Sequence, residues 1–157
     1  KIIKAYNQVF NSNYTIIRPS ALYGERCISR RVGQIFIENA VNNHPIKISG
    51  DGEDKLDFTY IKDLSNGVQL CIEKEEAKNQ IFNLTYGQSK TINNLRDILL
   101  NYFPEAQFTY ENRDKLMPKR GTLSIEKAKK LIGYNPIHSI EDAYPEYIKW
   151  YKEFLGK

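Results

Sequence analysis

Short β-branched runs that alternate with amphipathic helical stretches constrain this chain more than any other feature. NYTIIRP (13–19) reads as a buried strand closed by Pro19. Ile46 and Ile48 mark a second strand, DFTYI (57–61) a third, IFNL (81–84) a fourth, and QFTY (107–110) an edge strand. Between them apolar residues recur at helical spacing: Ile3, Tyr6 and Phe10; Val32, Ile35, Phe36, Ala40 and Val41; Leu64, Gly67, Val68, Cys71 and Ile72; Ile92, Leu95, Ile98, Leu99 and Tyr102; Ile125, Ala128, Leu131 and Ile132. The last stripe, Ile140, Ala143, Tyr144, Tyr147, Ile148, Tyr151 and Phe154, predicts a core-facing helix. Asp63, Thr91, Ser124 and Ser139 are placed to cap helices and Gly133 to stop one. Strands alternating with helices make the chain an α/β protein.

At 157 residues, with 41% apolar and 12% aromatic residues, the chain is long enough to bury a core of its own. Charged residues are 27% of the chain, the net charge is only +4, and acids and bases are interleaved. That distribution does not make a nucleic-acid footprint the default reading, and a small anionic ligand fits as well; no nucleic-acid partner is expected. Cys27, Cys71, His44 and His138 lack metal-ligand spacing, so no metal site is expected. Two isolated cysteines suit a reducing cytoplasm, and no apolar run approaches the ~18 residues of a membrane span. The opening KIIKAYNQVF reads as the inside of a helix without a preceding cap, so a larger parent protein is expected.

YGQSK (86–90) carries a tyrosine and a lysine four residues apart, a spacing that on a helix would set a phenol beside an ammonium and prepare it for proton transfer. Its neighbours argue otherwise: Ile81 to Leu84 form a strand just before it, Gly87 is a turn residue, and helical periodicity starts only at Ile92. The pair is expected to lie in a strand-to-helix turn and to be non-catalytic.

Four stretches in order, RPSALYG (18–24), ISGDGEDKLDFTYIKDL (48–64), IFNLTYGQSKTINNL (81–95) and KRGTLSIEKAKKLIGYNP (119–136), resemble the C-terminal half of the extended short-chain dehydrogenase/reductases, the NAD-dependent nucleotide-sugar epimerases and dehydratases. The resemblance covers essentially the whole chain. It implies the C-terminal part of a Rossmann-type NAD(P)-binding fold plus the smaller α/β substrate-binding domain. Residues 1–24 and about 57–85 would contribute to the Rossmann sheet side, and about 25–56 and 86–157 mainly to the substrate side. It also implies a cytoplasmic parent enzyme, a cofactor that is NAD or NADP, a nucleoside-diphosphate sugar as substrate, and a parent homodimer built on a four-helix bundle. The glycine-rich cofactor turn and the catalytic Tyr-x-x-x-Lys pair of such proteins would lie upstream of Lys1. This chain then holds no catalytic residue and is expected to be inactive alone. GDGEDK (50–55) is not a substitute for the cofactor turn, because Lys55 occupies the last glycine's place and a strand follows.

By the same resemblance, Pro19 and Ser20 would line the nicotinamide side, and Ala21 stands where many relatives carry a substrate-contacting asparagine. Many relatives place a diphosphate-binding arginine where this chain has Leu56, so Lys55, Arg30 and Arg31 are the alternative sources of charge. Arg120 aligns with a second diphosphate-gripping arginine and is the strongest binding candidate, although Gly121-Thr122-Leu123 replaces the Pro-Gly-Asp of relatives. Lys47 and Ser49 lie on the strand that meets the nucleobase. Epimerase, dehydratase and 4-keto reductase stay open. So does a non-catalytic nucleotide-sugar-binding module, which the loss of the arginine at Leu56 favours slightly.

Overall fold

A computed structural model describes residues 1–27 and 29–156. Helix α1 spans Ile2–Phe10, followed by strands β1 (Thr15–Arg18) and β2 (Leu22–Tyr23), helix α2 (Val32–Val41), strands β3 (Ile46–Ser49), β4 (Lys55–Leu56) and β5 (Thr59–Tyr60), and helix α3 (Ile61–Glu73). Then come β6 (Gln80–Asn83), β7 (Lys90–Thr91), α4 (Ile92–Leu100), β8 (Phe108–Glu111), α5 (Glu126–Ile132) and α6 (Ile140–Phe154). The strands pair as two-stranded ladders. β1 with β6, β2 with β5 and β3 with β8 are parallel, and β4 with β7 is antiparallel. Parallel pairing across long sequence gaps needs helical crossovers, which is why the alternation in the sequence produces this arrangement.

Helices α4 and α6 start where a side-chain cap meets an apolar stripe, whereas α5 starts after Ile125 rather than at the expected cap Ser124. The Thr91 hydroxyl accepts from the Asn94 amide, and the Asn94 side chain accepts from the Thr91 amide in return, closing the start of α4. Ser139 accepts from the Asp142 amide at the start of α6, and Gly133 ends α5 in the left-handed conformation. Helix α3 departs from expectation. It starts at Ile61, so the expected strand over 57–61 shortens to Thr59–Tyr60, and Asp63 sits inside the first turn rather than capping it. Its carboxylate is buried and instead accepts from the Ile137 and His138 amides at 3.2 and 3.0 Å and contacts His138 Nδ1 at 2.7 Å.

Two apolar clusters result. The larger joins Tyr23, Phe36, Ile37, Ile46, Ile48, Phe58, Leu95, Leu99, Tyr144 and Tyr147; the smaller joins Cys71, Phe82, Leu84, Ile125, Ile132 and Tyr134. Helix α5 therefore packs on the β6 side, although it lies in the 86–157 stretch. The α6 stripe is buried from Ile140 to Tyr151, whereas Phe154 is exposed, as are Ile72 on α3 and Ile3, Tyr6 and Phe10 on α1. Helix α3 crosses closely at Gly67, where a Cβ would stand 2.8 Å from Leu84 and 2.9 Å from Tyr134. Tyr144 donates its buried hydroxyl to the Gly33 carbonyl at 2.7 Å, fixing α6 against α2.

One buried carboxylate ties the separate segments together. Asp57 is fully buried, and its Oδ2 accepts from the Thr85 hydroxyl at 2.9 Å and the Leu123 amide at 3.0 Å. Its Oδ1 accepts from the Gly87 amide at 3.0 Å. Replacing it by alanine strands these donors, two of them backbone, away from water. Asp57→Ala is expected to cost about 3–5 kcal/mol in urea unfolding. Asp57→Asn, which keeps an acceptor oxygen, is expected to cost less.

Candidate functional site

Two adjoining cavities open where the carboxyl end of β1 faces α2, β3 and β4. The larger, about 670 Å³, is lined by Pro19, Ser20, Ala21, Arg30, Arg31 and Arg120, with Tyr23 and Phe58 behind them. The smaller, about 260 Å³, is lined by Lys47, Ser49, Asp54, Lys55, Met117 and Arg120 together with Phe36, Ile48 and Ile92. Val32, Leu56 and Arg120 border both. The structure thus brings all nine expected site residues to one continuous concavity: Pro19, Ser20, Ala21, Arg30, Arg31, Lys47, Ser49, Lys55 and Arg120.

Each reaches it for a local reason. Pro19 ends β1 by removing a ladder donor, and the chain then turns through Ala21 at φ 35°, a left-handed value unusual for a residue with a Cβ. The Thr59 amide donates to the Ala21 carbonyl at 3.3 Å, holding that turn over β5. Lys47 and Ser49 alternate outward from Ile46 and Ile48, which are buried. The turn before Lys55 is locked by Asn93 of α4, whose side-chain amide donates to the Asp51 carbonyl at 3.0 Å and to Glu53 at 2.6 Å. Gly52, at φ 81°, must lack a Cβ, which would stand 2.2 Å from Asn93 Oδ1. The sequence expectation of a tight turn followed by a strand holds there. Arg120 is carried on the segment that Asp57 anchors through Leu123.

The cations differ in how far they are committed. Arg30 pairs with Glu38 at 2.9 Å, and Lys47 pairs with Glu111 at 2.6 Å on the neighbouring strand, which raises the lysine's pKa. Arg31 donates to Ser29 at 3.2 Å. Among the described residues, Lys55 and Arg120 form no ion pair and remain available to an anion. At Leu56 an apolar side chain separates the cavities. Sequence reasoning missed Asp54, Arg113 and Glu38. Asp54 and Arg113 pair across 59 positions, and Glu38, besides its near partners Arg30 and Gln34, binds the Tyr151 hydroxyl 113 positions away; no periodicity marks these contacts.

The tyrosines here serve structure. Burial pushes the Tyr23, Tyr134, Tyr144 and Tyr147 phenols above their ordinary value, and burial plus a 2.6 Å bond to Glu25 does the same for Tyr60. General acid/base work near neutrality requires the opposite direction. The YGQSK pair is not helical either. Tyr86 lies in the turn after β6, and Lys90 begins β7 and pairs with Glu141. Among the described residues no cluster of histidine, cysteine, aspartate or glutamate could hold a metal ion, and no helix is long and apolar enough to cross a membrane.

Comparison with known proteins adds to this geometry. The family model described as "NAD dependent epimerase/dehydratase family" matches residues 1–85. A putative UDP-glucose 4-epimerase of Methanocaldococcus jannaschii is 30% identical over 96% of this chain and 49% of its own length. The UDP-glucuronate 4-epimerase of Thermodesulfobacterium geofontis is 31% identical over 94% of this chain and 46% of its own length. The UDP-glucose 4-epimerase of Thermotoga maritima, solved with UDP-glucose, superposes with a TM-score of 0.90 at 25% identity, covering 98% of this chain and 50% of that one. The chain spans about half the length of the curated relatives it matches.

Glu38 offers a pH test of how Arg30 is held. Burial raises its pKa, but hydrogen bonds from Tyr151, Gln34 and Arg30 outweigh that and leave it lowered. The ionised form is therefore favoured by folding. Its contribution is complete above the ordinary value of 4.5 and is lost as pH falls through the lower folded value. As pH falls from 4.5 towards the folded value, thermal unfolding is expected to show a shallower acid loss for Glu38→Gln than for the unaltered chain.

Proposed function

The chain belongs to the NAD dependent epimerase/dehydratase family of extended short-chain dehydrogenase/reductases, and from that premise we propose that it is the substrate-binding part of an enzyme acting on a nucleoside-diphosphate sugar. One observation carries the reading: cationic side chains from four separate segments converge on one concavity, at Arg30 and Arg31, Lys47, Lys55 and Arg120. A diphosphate needs such partners, and Lys55 and Arg120 are uncommitted. The apolar walls at Phe36, Ile48, Ile92 and Met117 suit the flat face of a nucleobase.

The residues present also fit a nicotinamide cofactor on the β1 side. Pro19 and Ser20 follow the carboxyl end of a parallel strand, where α/β folds bind such ligands, and they open into the larger cavity. NAD or NADP, when bound, supplies a hydride acceptor and donor. Pro19, Ser20 and Ala21 would form the floor that holds sugar and ring in contact, while Arg120 and the Arg30–Arg31 loop grip the phosphates. Residues 1–24 and 57–85 would then be the cofactor side and residues 25–56 and 86–157 mainly the substrate side. With the cofactor turn and the proton-transferring tyrosine and lysine upstream, the chain by itself does not turn over. Leu56 supports a second reading, a nucleotide-sugar-binding module without redox chemistry; the residues upstream of Lys1 discriminate the two.

Calorimetric titration of the intact protein with UDP-, dTDP-, GDP- and CDP-sugars tests the reading. At least one is expected to bind, and Arg120→Ala is expected to weaken it about 10- to 100-fold, the value of one or two hydrogen bonds to charged oxygens. An unchanged affinity in that variant would remove the diphosphate assignment.

A further inference from the structure

Among the described residues Asp54 is the one carboxylate lining either cavity, in a place where every other charged residue on the wall is a cation. A negative charge beside a bound diphosphate opposes binding, so its presence there calls for a compensating contact. Structure accounts for only half of the side chain. Oδ2 accepts from Arg113 Nε at 2.8 Å, which ties the turn before β4 to the segment after β8. Oδ1 accepts no hydrogen bond among the described residues, and the side chain is partly exposed, at 28%. Arginine–carboxylate pairs are frequently bidentate; this one closes with a single bond and leaves the second carboxylate oxygen uncommitted. A ligand hydroxyl in the cavity can donate to that oxygen. The backbone is rigid at this point, since the Ile92 amide donates to the Asp54 carbonyl at 3.2 Å.

We propose that Asp54 is a specificity-determining residue of the site: its free carboxylate oxygen, oriented by Arg113, accepts a hydrogen bond from a hydroxyl of the ligand's polyol portion, on the ribose or on the hexose. This rests on the nucleotide-sugar reading above. The carboxylate then selects against ligands lacking the hydroxyl, which would leave Oδ1 facing the diphosphate without return.

The test titrates the intact protein and its Asp54→Ala and Asp54→Asn variants with UDP, 2′-deoxy-UDP and UDP-glucose. If the partner is ribose, unaltered protein binds UDP about tenfold tighter than 2′-deoxy-UDP, or 1.4 kcal/mol, and Asp54→Ala brings the two within about twofold. If the partner is the hexose, UDP and its deoxy analogue bind alike, and Asp54→Ala removes about tenfold from the advantage of UDP-glucose over UDP. Asp54→Asn, which keeps the size and one acceptor, is expected to retain part of the discrimination; it carries the test if the alanine variant does not fold. A purely structural role would change all three affinities together or none, and either outcome overturns the proposal. Failure of the underlying reading looks different: UDP then does not bind, or Arg120→Ala leaves its affinity unchanged.

Discussion

The buried carboxylate of Asp57 is the contact on which the rest of the arrangement depends. It lies just before β5 and collects donors from Thr85, Gly87 and Leu123, so one charge fixes the turn after β6 and the strand-free segment that carries Arg120. Segments without a sheet ladder have few ways to hold a defined course, and hydrogen bonds to an ionised acceptor are among the stronger ones available. Tyr134 extends the network by donating to the Thr85 carbonyl at 3.1 Å. Asp63, in the first turn of α3, repeats the device and holds the residues leading into α6.

These anchors explain how a site can be assembled from parts that are remote in sequence. Arg120 hangs from Asp57, Lys55 from the turn that Asn93 locks, Arg30 from Glu38, and Lys47 from the β3–β8 ladder. The core beneath is unusually phenolic, with Tyr23 meeting Tyr60, Tyr144 and Tyr147 at centroid distances of 5.5 to 6.5 Å. Tyrosine fills apolar volume and keeps a hydroxyl for the backbone, so α6 is both packed and pinned where it supports the larger cavity.

Much of this was legible from residue order, and what was not has a physical cause. Thr91, Ser139 and Gly133 act as read, because capping is a local interaction between residues a few positions apart. Asp63 matched the same local rule and does something else: its partners at 137 and 138 lie 74 and 75 positions along the chain, and a tertiary bond overrode the cap. Phe154, Ile72 and the apolar face of α1 keep the right period yet stay exposed, since periodicity reports an amphipathic face and not what covers it. The expected site residues gather around the cavities because motif order carries spatial information that composition lacks. Asp54 and Arg113 escaped notice because an ion pair between residues 59 positions apart leaves no pattern in sequence.

Leu56 shows how such a site can change without losing its form. An arginine at that position would reach both cavities from the wall between them; leucine instead closes the partition and packs partly against the core. The cations around the cavities, Arg30 and Arg31 on one side and Lys55 and Arg120 on the others, are all exposed. Rim cations attract an anion over distance but orient it poorly. Orientation must then come from groups with a fixed bearing, and within the smaller cavity the charged group held by a neighbouring side chain, a backbone bond and a locked turn is Asp54.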